Sequence, residues 1–174
     1  MVKKRLFFLA FRRGIIGFGI LSILLCGCVS NVSNDPRYPT DYKVGAVYRL
    51  KEPVVVDKAG LTVFGTYSSL ILSRLGESGK PDSVAEYEEW PDERKKFIAG
   101  IAPVGTLIRI TEVQLEKNPE MGRMMWIRGR FVDVPWATKE AELAFISKRT
   151  KVGTDPLLGE IPMVDTDLLE LVTP

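Results

Sequence analysis

The sequence predicts a mainly β protein, a small antiparallel barrel carrying one short helical insertion. Short apolar runs recur at close spacing with turn residues between them, the pattern of all-β domains. One stretch, from Ser83 to Gly100, departs from that pattern and carries helix signals. The third observation concerns TLIRITEVQL, which has the clearest strand character in the chain. Ile108 and Ile110 share one face but Val113 and Leu115 share the other, so the hydrophobic register slips by one near Thr111. A β-bulge or strong bend there turns all four inward, as where a strand rounds the corner of a small barrel. A β-sandwich is the alternative architecture.

Taken in order, VSNVSNDPRYPTDY (29–42) is polar, holds two prolines and has no apolar period, so it reads as a flexible tether. Folding starts near Lys43, where KVGAVYRL puts Ala46, Tyr48 and Leu50 on one side of a strand and Val47 and Arg49 on the other. After Pro53, Val54 to Val56 is a β-branched run, and Asp57-Lys58-Ala59-Gly60 supplies turn chemistry. LTVFG and TYSSLILSRL, split at Gly65, are two further strands, and Gly76 to Pro81 is a loop.

Ser83 and Glu86 have the spacing of a capping box that opens a short helix with Val84 and Tyr87 inward. Pro91 ends it, because the residue before proline is pushed out of the helical region, and starts a second turn. There Asp92 and Glu93 lie at the positive end, Arg94, Lys95 and Lys96 later, and Gly100 follows the last turn. EKNPEMG then turns TLIRITEVQL back into RMMWIRGRFVDV, with Met125, Ile127 and Phe131 on the inner face and Trp126, Arg128 and Arg130 on the outer one. Gly129 marks a second bulge. In TKEAELAFISKR (138–149) alanine, glutamate and lysine favour helix, although Leu143 and Phe145 alternate as in a strand; helix is the reading taken. From Val152 onward there are acids and no base, with turns at Gly153, Pro156, Gly159 and Pro162 before LLELV closes the sheet. An SH3-like or OB-like barrel is the form that best accommodates these elements.

The N-terminal MVKKRLFFLAFRRGIIGFGILSILLCGC has five basic residues and no acid, then an uncharged run from Gly14 to Cys28. That order is a secretory signal. Its apolar core, Ile15 to Leu25, is short of the roughly 20 residues that a membrane-spanning helix needs. The closing Leu25-Cys26-Gly27-Cys28 resembles the lipobox of bacterial lipoproteins, with an aliphatic residue three before the cut, a small one before it and the modified cysteine after it. The resemblance covers the first 28 residues. It implies cleavage before Cys28, a diacylglyceryl thioether on that cysteine and acylation of its freed amine, which together anchor the protein in a membrane. Val29 and Ser30 follow the cysteine, and Val29 stands at the first position, where aspartate marks inner-membrane retention, so the resemblance further implies delivery to the outer membrane, on its periplasmic side, in a Gram-negative host. The resulting organisation is a signal peptide (1–27), a lipidated N-terminus with its tether (28–42) and one mainly β domain (43–174).

Removing residues 1–27 leaves 19 bases against 22 acids, a net charge of −3. The basic character of the precursor therefore belongs to the discarded segment, and no nucleic-acid partner is expected. Without histidine, and with no cysteine past position 28, the remaining chain has no material for a Ser-His-Asp or Cys-His site, nor for a zinc site built on those ligands. Glu86, Glu88, Glu89, Asp92 and Glu93 are dense enough for a carboxylate pair, but sit on a charged helical stretch where no desolvation tunes them. Asp165 and Asp167 fall short of the six or so oxygens that calcium takes. Ser147-Lys148 and Ser73-Arg74 are strand neighbours and point to opposite faces. No phosphate-cradling glycine loop is present.

The expectation is thus an envelope protein without catalysis, cofactor or metal, which binds or assembles with another envelope protein or peptidoglycan. Its candidate binding face is Trp126, Arg128 and Arg130, an aromatic beside two guanidinium groups suited to anions or peptides. The bland alternative is that Glu112 or Glu116 neutralises those arginines. An inhibitor or immunity-type lipoprotein, and a carboxylate-dependent hydrolase, are the other readings.

Overall fold

The computed structural model describes residues 28–58, 61–62, 65–66, 69–118, 122–151 and 160–173, so the signal segment 1–27 lies outside the described residues. Among the described residues thirteen strands and two short helices succeed one another. They are β1 (Cys28–Asn31), β2 (Val47–Leu50), β3 (Val54–Lys58), β4 (Leu61–Thr62), β5 (Gly65–Thr66), β6 (Leu70–Arg74), α1 (Val84–Glu89), α2 (Asp92–Lys95), β7 (Ile98–Ala102), β8 (Leu107–Asn118), β9 (Gly122–Phe131), β10 (Ala141–Glu142), β11 (Lys148–Thr150), β12 (Ile161–Met163) and β13 (Leu169–Thr173). The main sheet runs β13-β2-β8-β9-β10-β6-β3-β7, and β1 also pairs with β8. It is an open, strongly curled half-barrel, mainly β with a helical insertion, rather than a sandwich. All its pairings are antiparallel except β10 with β6.

The curl has a source in β8. Ile110 pairs with Gly129 and Glu112 with Arg128, so Thr111 is the extra residue of a bulge. As the slipped pattern predicts, Ile108, Ile110, Val113 and Leu115 are all buried against Met125, Ile127 and Phe131 of β9. The bulge also divides the opposite edge of β8 between two strands, β2 pairing with residues 107–109 and β1 with residues 114–117. Where the chain rejoins β8, Gly45 N–H donates to the Ile110 carbonyl. Gly45 has φ +89°, a backbone region that excludes most side chains.

Val54, Val55 and Val56 are fully buried because both faces of β3 are covered. Val54 and Val56 enter the main core, whereas Val55 packs with Trp90 and Ile98 under the helical insertion. The serine half of the capping box forms, with Ser83 Oγ accepting from Glu86 N–H, while the Glu86 carboxylate reaches one residue beyond the N-cap, to the N–H of Asp82. Tyr87 packs as expected but Val84 is 41 % exposed. Trp90, buried at the C-cap with its indole donating to Glu86, shares the covered side with Tyr87 in place of Val84. Pro91 is the N-cap of α2 rather than its first residue.

Four other expectations are corrected. Gly100 lies inside β7, not after a helix: a Cβ there would come within 2.9 Å of the Trp136 ring. Gly129 carries no bulge of its own and is instead a tight contact, since its Cβ would meet Ile108 at 2.8 Å and both Arg109 and Leu143 at 3.1 Å. Residues 138–149 form no helix. Ala141, Leu143, Ala144 and Ile146 are buried in a run that leaves β10, turns and enters β11, so burial overrides helix propensity there. The segment 29–42 is not a free tether either, because β1 is paired and Val32 and Tyr42 enter the core at 7 % and 3 % exposure. The final LLELV supplies β13, an edge strand on β2, in a sheet that stays open.

Candidate functional site

Alternation along β9 delivers Trp126, Arg128 and Arg130 to its outer face, opposite the buried Met125, Ile127 and Phe131. Beside them the regular half of β8 past the bulge presents Glu112, Gln114 and Glu116. Trp126 Nε1 donates to Glu116 at 2.8 Å, and Arg128 Nε donates to the Gln114 amide oxygen at 2.7 Å. Gln114 in turn donates to Glu112 at 2.7 Å. The neutral amide, rather than an acid, is thus the direct partner of Arg128.

Arg130 stands directly across the ladder from Arg109, and both are exposed. Like charges at opposed positions disfavour pairing. The only acid near Arg130 among the described ion pairs is Glu140, at 3.7 Å. Neither Glu112 nor Glu116 forms an ion pair with these arginines among the described contacts, so the expected neutralisation is replaced by one long contact at the edge. The face extends sideways through Phe145, 45 % exposed, whose ring lies 6.1 Å from Trp126 and 5.8 Å from the Arg149 guanidinium.

Behind this face lies Glu142, only 4 % exposed. One carboxylate oxygen accepts from Ile127 N–H at 3.0 Å and Ala144 N–H at 2.9 Å. Burial pushes the carboxyl up to about 8, against those N–H groups and the charge of Arg128, which favour ionisation. Sequence reasoning missed Glu142. No local pattern signals it, because Ala141, Leu143 and Ala144 around it are all buried in one unbroken run.

The remaining candidates are structurally engaged. Glu86, Glu88, Glu89, Asp92 and Glu93 lie on the two helices, where none is buried. Asp165 is held by Arg74 and by Lys148, the latter at 3.1 Å, and Asp167 also pairs with Lys148 at 3.1 Å. Burial raises the Asp165 carboxyl, but the Asp167 N–H and those two cations outweigh it and lower it overall. Ser147 donates to the Leu143 carbonyl and accepts from Tyr42, away from Lys148. Ser73 donates to Asp57 at 2.7 Å, and Lys80 completes that cluster at 2.6 Å from Asp57. Ser73 and Asp57 are buried and mutually satisfied, a polar joint between β3 and β6.

A cleft of about 310 Å³ opens between Lys58, Ser69, Trp136, Thr138 and Lys139. Of its two lysines, Lys58 already donates to the Lys96 carbonyl. Among the described residues no group of three or more His, Cys, Asp or Glu side chains gathers as metal ligands would.

Cys28 is the first residue of β1 and pairs with Lys117 near the far end of β8. No helix among the described residues is long and apolar enough to cross a membrane. The chain matches no family model, no curated protein and no solved structure.

Proposed function

We propose that this chain is a membrane-anchored envelope lipoprotein whose β8–β9 outer face is a noncatalytic docking surface for an anionic or peptide group on another envelope protein or the cell wall. Support for anchoring comes from the order of charge block, apolar block and LCGC ahead of Cys28. The observation that carries the docking reading is the opposition of Arg109 and Arg130. A fold gains nothing from two guanidinium groups facing each other across a ladder, and an anion laid over both relieves the repulsion. Trp126 and Phe145 add aromatic surface beside them.

Two measurements test the proposal. Cys28→Ser abolishes metabolic acyl labelling and leaves uncleaved precursor, because the lipoprotein pathway acts on the thiol before it cuts; label persisting on the serine variant would remove the anchoring claim. For docking, crosslinking in intact cells compares the native protein with an Arg128→Gln, Arg130→Gln double variant. Stability changes by about 1 kcal/mol, the loss of the Arg128–Gln114 hydrogen bond adding to the small effect of the exposed Arg130, while partner capture falls. Unchanged capture from a folded double variant would place the docking surface elsewhere.

A further inference from the structure

We propose that the anchored protein stands with the distal end of the β8–β9 hairpin against the lipid headgroups, held there by β1 instead of hanging from a tether; this rests on the lipoprotein reading above. Acylated Cys28 would be both the first residue of the mature chain and the first residue of β1, which leaves no slack between lipid and fold. In the ladder, Cys28 pairs with Lys117, next to the last hairpin pair, Asn118 with Gly122.

The strand is fastened at its other end as well. Val32 N–H donates to the Val113 carbonyl at 2.8 Å, and Val113 N–H donates to Ser33 Oγ at 2.9 Å. Beside the anchor, Val29 is 57 % exposed and Lys117 is exposed. An apolar side chain next to acyl chains, and a lysine whose stem lies on them while its ammonium meets phosphate, suit the lipid boundary. From Lys117 to Leu107 the strand advances about 3.3 Å per residue along its path and bends at the Thr111 bulge, so the opposite end of β8 stands at most roughly 30 Å from the headgroups. Arg109 and Arg130 lie at that raised end. The anchor therefore sets the Arg109–Arg130 end of the docking face farthest from its own membrane, with Trp126 nearer to it.

The test uses the acylated protein, its two modifications first verified by mass, in vesicles of phosphatidylethanolamine and phosphatidylglycerol containing a nitroxide-headgroup lipid. With Cys28 acylated and Cys26 removed with the signal, an introduced cysteine is the one free thiol for a fluorophore. The probe at Lys117→Cys loses most of its emission to the nitroxide, and the probe at Val104→Cys loses almost none. Inserting fifteen Gly/Ser residues between Val29 and Ser30 gives the anchor a root-mean-square reach of about 20 Å. That insertion lowers quenching at Lys117→Cys several-fold while the protein stays vesicle-bound. Equal quenching at the two sites, or quenching at Lys117→Cys that ignores the insertion, overturns the orientation while leaving anchoring intact. Absence of acyl mass overturns the anchoring reading itself, and is seen before any vesicle is added.

Discussion

Glu142 keeps its place through two backbone N–H groups and no ion pair among the described contacts, so its protonation is tied to folding. Its folded carboxyl sits at about 8 against an ordinary 4.5, and the folded protein therefore holds a proton that the unfolded chain releases. The stability this contributes is fully present below about 4.5 and is lost as pH rises through about 8. We predict that the urea midpoint falls between pH 5 and pH 8 and that Glu142→Gln flattens that fall; an identical slope in the variant would clear Glu142 of responsibility. Asp165 contributes in the opposite sense, with stability that is present above its ordinary 3.8 and lost as pH falls from there through its lowered value, so the two windows do not overlap. At this scale the inward positions of β8 and β9 were legible because each alternates with polar neighbours. Glu142 was not, because what buries it comes from strands distant in sequence. The opposition of Arg109 and Arg130 was equally hidden, since it follows from a register that only the turn and bulge together fix.

Elements announced themselves where a local rule acts alone. The serine cap at Ser83 and the slip at Thr111 are both properties of a few adjacent residues, and both form. Residues 138–149 show the converse: alanine, glutamate and lysine prefer helix, but the pairing of Ala141 with both Gly129 and Leu70 draws the segment between β9 and β6. That insertion also explains Gly129, which lets the Leu143 and Ile108 side chains close over β9. Gly129→Ala places a methyl group within 2.8 Å of Ile108 Cγ2 and 3.1 Å of the Arg109 carbonyl. Overpacking of this kind costs about 1–3 kcal/mol, and denaturant unfolding of the variant measures it. A midpoint equal to the native one would mean that the wall yields freely at this point.

For the molecule as a whole, the segment before Lys43 is part of the body. Tyr42 donates to Ser147 at 2.8 Å and its ring lies 5.6 Å from Tyr48, while Val32 fills the core below β8. A chain beginning at Lys43 loses both buried side chains, and at about 1.5–3 kcal/mol for each large apolar group it should be less stable by roughly 3–6 kcal/mol. Thermal unfolding compares it with the chain beginning at Cys28, and equal melting temperatures would restore the segment to the role of a tether. The sequence hid this because polar composition and two prolines describe a surface segment equally well whether it floats or is pinned by a few residues. Shape, finally, comes down to a count. Deleting Thr111 would leave Ile108, Ile110, Val113 and Leu115 in unbroken alternation and would match β8 to β9 pair for pair. The hairpin would lose none of its partners, only its bend. Curvature in this protein is thus separable from pairing: it is carried as one surplus residue, and a change in chain length, rather than any change of side chain, is what would flatten the half-barrel.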